Sequence, residues 1–264
     1  MEHLNPLILA LIGTTISFAG TTIGAAVVFF TKKELNIKMQ KLFLGFAAGV
    51  MIAASVWSLL LPAIDYTLQQ GLPEWLPCCI GFLIGGLFLF ALDKLLPHQH
   101  AQTGIVEGPT SNLHKSTKLI LAITLHNFPE GMAVGLAFAL SGFAGSNVTI
   151  ASAFALAIGI AIQNLPEGAV ISMPLRSEGF SRKKAFLYGT LSGIVEPIAG
   201  VLSALIAYIT FLIIPWVLSF AAGAMIYVVI DELVPNSQNS HSDIGTIGAM
   251  AGFVIMMFLD IALG

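Results

Sequence analysis

Apolar residues run along this chain in long stretches, and polar residues are confined to short breaks between them. Eight such runs can be read, at about Pro6 to Phe30, Leu42 to Ile64, Leu76 to Leu96, Thr117 to Leu140, Val148 to Met173, Ala185 to Tyr208, Phe211 to Leu233 and Ile244 to Leu263. Each has about the length, roughly 20 helical residues, that crosses a hydrocarbon layer of about 30 Å. A backbone in lipid must satisfy its own hydrogen bonds, and runs this long without alternation exclude barrel strands. The expected fold is all-α: one polytopic membrane domain of eight transmembrane helices over residues 1–264, with a polar loop at about 97–116.

Composition removes the alternatives. Of 264 residues, 56% are hydrophobic and 9% charged, whereas a soluble domain carries about a quarter charged residues. A soluble surface cannot be made from this chain, and a nucleic-acid partner is excluded with it. The partner is the lipid bilayer. The two cysteines, Cys78 and Cys79, are adjacent and imply no disulfide framework. The first run is too long for the apolar core of a cleaved signal and lacks a basic segment before it, so it is expected to stay as a helix.

All 11 basic residues fall in three places, after run 1 (Lys32, Lys33, Lys38, Lys41), around the connection after run 3 (Lys94, Lys115, Lys118) and after run 5 (Arg176, Arg182, Lys183, Lys184). Positive loops stay cytoplasmic, which puts both termini on the outer side. The longest connection holds His98, His100 and His114, candidates for a cytoplasmic metal-receiving segment, although a merely solvated loop reads the same way. Asp93, Asp231 and Glu232 fall near cytoplasmic run ends and Asp65, Glu74 and Asp260 near outer ones, where acids are ordinarily solvated.

Runs 4 and 5 carry the chemistry. Leu125 to Gly131 reads Leu-His-Asn-Phe-Pro-Glu-Gly, and Ile162 to Gly168 reads Ile-Gln-Asn-Leu-Pro-Glu-Gly. Each copy includes an acid that is costly at bilayer depth unless something compensates it. On a helix His126 lies over Glu130 and Gln163 over Glu167, with Asn127 and Asn164 about 100° around the axis. Pro129 and Pro166 cannot donate to the carbonyls of Leu125 and Ile162, so each helix should kink and present a free oxygen. Gly131 and Gly168 permit close helix approach. Run 6 adds Glu196 before Pro197, a third wall, and in run 2 Met51 and Ser58 sit seven apart on one face as pathway candidates. Beyond Lys118 at the very start of run 4, no Lys or Arg lies within runs 4, 5 or 6, so three carboxylates need protons or a bound cation. Imidazole, carboxylate and amide oxygen suit zinc, iron or manganese better than a thiolate-seeking ion.

At the paired hexamers the sequence resembles the ZIP family of Zrt/Irt-like metal transporters, in particular its bacterial GufA-type branch. The resemblance implies movement of zinc, and variably iron, manganese, cobalt or cadmium, toward the cytoplasm of a bacterium through its inner membrane. It implies an inverted repeat of runs 1–3 and 6–8 around runs 4 and 5, and a homodimer. Carried over by position, His126, Glu130, Gln163 and Glu167 would surround one ion, and Asn127, Asn164 and Glu196 with the same two glutamates a second. Met51 and Ser58 match pathway positions. Where many relatives have His or Asp in run 5, this chain has Gln163 and Asn164, which lowers the charge of the second position. No catalytic cofactor is implied, since Zn2+ or another divalent ion is the bound substrate. The rival classes are an intramembrane zinc enzyme and a metal-sensing membrane protein. Against the enzyme, no His-Glu-x-x-His occurs, and the absence of a P-loop pattern argues against ATP coupling within this chain.

Overall fold

The computed structural model describes residues 5–31, 36–99, 106–112, 115–143, 146–238 and 242–263. Helix α1 (Pro6–Ala26) starts where the Asn5 side chain accepts the Leu7 N–H at 2.9 Å, and Pro6 sits at its first position, where no backbone donor is needed. Span 2 comprises α2 (Ile37–Ala54), a π-helical turn at Ser55–Leu60 and α3 (Leu61–Gln69). Span 3 is α4 (Trp75–Leu95), followed by the two-residue strands β1 (His98–Gln99) and β2 (Val106–Glu107), an antiparallel pair within the connection. Spans 4 and 5 are α5 (Lys115–Leu140) and α6 (Ile150–Ser177). Span 6 is broken into α7 (Arg182–Ser192) and α8 (Val195–Ile209). Span 7 comprises α9 (Ile214–Val228), a second π turn at Val229–Leu233 and α10 (Val234–Gln238), and span 8 is α11 (Ile244–Leu263).

Apart from that short strand pair, the regular structure of the described residues is helical, and the chain is polytopic, with helices that overrun the apolar stretches at several ends. Seven helical stretches among the described residues are long and apolar enough to cross a membrane. The eighth long helix, α5, carries His126, Asn127, Pro129 and Glu130, and from residue 131 to 140 every residue is buried. A helix enclosed by protein tolerates polar side chains that lipid would not. Pro129 and Pro166 do not interrupt α5 or α6, which continue through them without a break.

The principal neighbour relations are symmetric under exchange of spans 1, 2, 3 and 4 with 6, 7, 8 and 5. Helix α1 packs on α6 as α8 packs on α5, and α2 packs on α11 as α9 packs on α4. Both π turns lie in exchanged spans and immediately precede Leu61-Pro62 and Val234-Pro235. Spans 1 and 6 differ by five crossings, so the two copies run in opposite directions, which is the expected inverted repeat.

Glycines sort the helices into two groups. A Cβ at Gly20 or Gly24 would meet α6 backbone at 2.2 and 2.0 Å, and one at Gly131 or Gly135 would meet α8 backbone at 2.3 Å. In the second group a Cβ at Gly45 or Gly49 would meet α11 backbone, and one at Gly85 or Gly223 the facing backbone of α9 or α4, each at 2.0 Å. Between the groups, α1, α5, α6 and α8 on one side and α2, α4, α9 and α11 on the other, Gly159 faces the Met256 sulfur instead of backbone. Without an apolar driving force between helices in lipid, such close backbone approach is what holds each group together.

Gly85 and its neighbour test this. A Cβ at Gly85 would lie 2.0 Å from the Phe220 carbonyl oxygen, whereas at Gly86 the nearest atom is 3.8 Å away. Thermal unfolding in detergent should show Gly85→Ala destabilised by about 1–3 kcal/mol and Gly86→Ala changed by less than about 0.5 kcal/mol.

Candidate functional site

Buried carboxylates cluster where the two motif-bearing helices meet α1, α8 and the second π turn. Asn127, Glu130, Gln163, Asn164 and Glu196 are fully enclosed, and His126 and Glu167 nearly so. Gly131 lies against the Glu196 backbone and Gly168 against that of Thr21, so the residue after each motif glutamate is where a neighbouring helix comes closest. Any side chain there would push α8 or α1 away from the acids.

The Gln163 amide nitrogen donates to Glu130 Oε1 at 2.6 Å and to Asn164 Oδ1 at 2.8 Å. The Asn164 amide nitrogen donates in turn to Glu196 Oε2 at 3.1 Å and to Ser17 Oγ at 3.2 Å. Glu196 also accepts from the Ser17 hydroxyl, and from that of Thr21 at 3.0 Å. Asn127 donates to the Ser192 carbonyl at 3.2 Å, one residue before span 6 breaks. After the break Glu196 occupies the first turn of α8, where a helix favours negative charge.

His126 Nδ1 lies 2.8 Å from Glu232 Oε2. The π turn before Pro235 delivers Glu232: proline cannot donate to the carbonyl four residues back and would clash with it, so the helix widens and the Val234 N–H bonds to Val229. His126, Glu167, Glu232 and Asn236 line one narrow cavity of about 20 Å³. Glu167 lies within electrostatic reach of Glu130, Glu196 and Glu232. Four side-chain oxygens of the paired motifs, Asn127 Oδ1, Glu130 Oε2, Gln163 Oε1 and Glu167 Oε2, are buried without a hydrogen-bond partner, and so is Asn236 Oδ1. They are acceptors, and acceptors in an enclosed site are what a cation replaces water with. Among the described residues no three His, Cys, Asp or Glu side chains alone converge on a metal position. Any ligation here draws on the amide oxygens as well.

A second cavity, about 180 Å³, opens at the end of the bundle bearing Asp65, Asn147 and Asp260. Ser58 donates to Asp260 Oδ1 at 2.7 Å and Asn147 to Asp65 Oδ2 at 3.2 Å. Of the two span 2 candidates Ser58 lines this cavity, whereas Met51 is fully buried in the apolar core. The wider π turn between them shifts the phase that a spacing of seven assumes. Asp93, Glu232 and Asp260 are buried and not solvated span-end acids. His100 and His114 lie outside the described residues, and of His98 only the backbone is described. Sequence reasoning left out Ser17 and Thr21, whose signal is a polar stripe with Thr14 at helical spacing along α1. It also left Asn236 unread, two residues from the π turn.

Helices crossing a bilayer around an enclosed, acid-rich polar centre define a polytopic membrane protein with an intramembrane site. The chain belongs to the ZIP family: the family described as ZIP Zinc transporter matches residues 116–260. It is 36% identical to the zinc transporter ZIP11 of Homo sapiens, with 97% of each chain covered. It is 38% identical to the zinc transporter ZIPB of Bordetella bronchiseptica over 97% of this chain and 81% of that one. It is 36% identical to the zinc transporter GufA of Myxococcus xanthus over 96% and 98%.

If His126 and Glu232 act as a buried pair, their contributions are coupled. A double-mutant cycle of His126→Ala and Glu232→Ala, read as the non-additive part of the thermal shift in detergent, should give about 1.5–3 kcal/mol.

Proposed function

We propose that this chain moves divalent transition-metal ions, zinc first, with iron, manganese, cobalt or cadmium as further cargo, through the centre between α5, α6 and α8. The observation that carries this reading is the set of four unpartnered buried oxygens on the repeated motifs. No Lys or Arg occurs between residues 119 and 175 or after residue 184 to neutralise the acids around them. Zinc transport is also what the names of the relatives state. We read the chain as a transporter and not an enzyme, acting as one transport domain over residues 1–264 without a catalytic cofactor.

An ion entering from the cavity at Asp65, Ser58 and Asp260 sheds water onto Glu130, Gln163 and Glu167. With His126 Nδ1 donating to Glu232, the ring's other nitrogen carries the lone pair that a metal takes, the usual arrangement for a ligand imidazole. Asn127 and Asn164, with Glu196, complete the wall toward α8. The helix groups divided at Gly159 and Met256 move against each other, and the pair His126–Glu232, which spans the division between α5 and span 7, opens to release the ion.

The basic connections after spans 1, 3 and 5 support release on the cytoplasmic side of a bacterial inner membrane, with both termini outside. Lipid covers exposed apolar side chains of α4 and α11 such as Leu83, Leu87, Met250 and Phe258, and a homodimer would bury part of one such face. His98, His100 and His114 would meet the ion after release.

Liposomes loaded with a zinc-sensitive dye test the reading. Wild-type protein should admit zinc, and Glu130→Ala and Glu167→Ala should each lower the rate by about 10–100-fold or more, the range that disturbing a metal's surroundings produces. Equal flux in folded mutants and wild type would remove the motif glutamates from the pathway.

A further inference from the structure

The paired-motif centre has two halves, and the hydrogen bonds treat them differently. On one side Glu130 Oε2, Gln163 Oε1 and Glu167 Oε2 are buried acceptors without partners, and Asn127 Oδ1 is a further one beside span 6. On the other, both oxygens of Glu196 are engaged by donors: Thr21 on Oε1, and Ser17 with Asn164 on Oε2. Building on the transport reading above, we propose that this chain carries one ion at a time, because Asn164 with Ser17 and Thr21 fills the Glu196 side of the centre with a hydrogen-bonded strut where a second ion would sit.

The orientation of Asn164 is set by its neighbours. Its nitrogen faces the Ser17 carbonyl at 3.4 Å, Ser17 Oγ at 3.2 Å and Glu196 Oε2 at 3.1 Å, and its oxygen accepts from Gln163 at 2.8 Å. Turning the amide over would aim its oxygen at those acceptors and its nitrogen at the Gln163 nitrogen. An amide N–H is not a metal ligand, so in the orientation its surroundings select Asn164 presents the wrong atom to a cation beside Glu196.

The three donors on Glu196 are placed to stabilise its carboxylate without a cation beside it. An aspartate at position 164 would remove the amide donor and add a carboxylate next to Glu196, a pair that calls for a cation between its members.

Bound zinc per chain decides the matter. Purified protein in detergent is equilibrated with Zn2+, freed of loose metal by desalting and assayed by elemental analysis, and zinc-edge anomalous scattering from wild-type crystals counts ions without any variant. Wild type should hold one ion per chain at the centre, beside Glu130, Gln163 and Glu167, and Asn164→Asp should hold two. Two ions in wild type would overturn the proposal and leave the transport reading standing. One ion in folded Asn164→Asp would overturn the role given to the Asn164 donor. No ion in wild type would overturn both this proposal and the assignment of the centre to transport.

Discussion

Glu196 is an acid in the middle of an apolar bundle, and it is held there by donors from helices far away in sequence. Ser17 and Thr21 reach it from α1 and Asn164 from α6, so one carboxylate ties three helices to a common point. A buried carboxylate without such donors is expensive, and the break at residues 193–194 puts Glu196 in the first turn of α8, where the helix dipole adds to its support. The close approach of α8 to α5 at Gly131, and of α6 to α1 at Gly168, is what brings those donors within reach. Lengthening either glycine would separate the acids from the groups that make their burial tolerable.

The prolines do two different things. Pro129 and Pro166 sit inside continuous helices and withhold the N–H that would otherwise bond to the carbonyls of Leu125 and Ile162. Pro62 and Pro235 instead follow π turns, where the chain relieves the clash of the ring with the carbonyl before it by adding a residue to the turn. Each widened turn redirects a polar side chain: Ser58 toward Asp260 at one end of the bundle, and Glu232 toward His126 on the other side of the centre. These two polar contacts are thus built by the same local device in exchanged halves of the repeat.

The long apolar runs determined by themselves that the chain is a membrane-spanning helical bundle, because only a helix satisfies its backbone in lipid and composition leaves no soluble surface. The repeated hexamers marked spans 4 and 5 as the bearers of buried acids, since an uncompensated acid in such a run is too costly to be incidental. Spacing also put Glu130 and Glu167, with Gln163 and Asn164, into one neighbourhood, which the Gln163 hydrogen bonds bear out. What the linear pattern could not fix was which residues complete the centre. Ser17, Thr21 and Glu232 come from helices more than sixty residues from the motifs, and the polar stripe on α1 does not by itself say which acid it meets. The tertiary structure decided their roles because a buried carboxylate takes whichever donor the packing brings to it. It decided the phase of Ser58 against Met51 because a π turn abolishes the regular spacing from which helical faces are read.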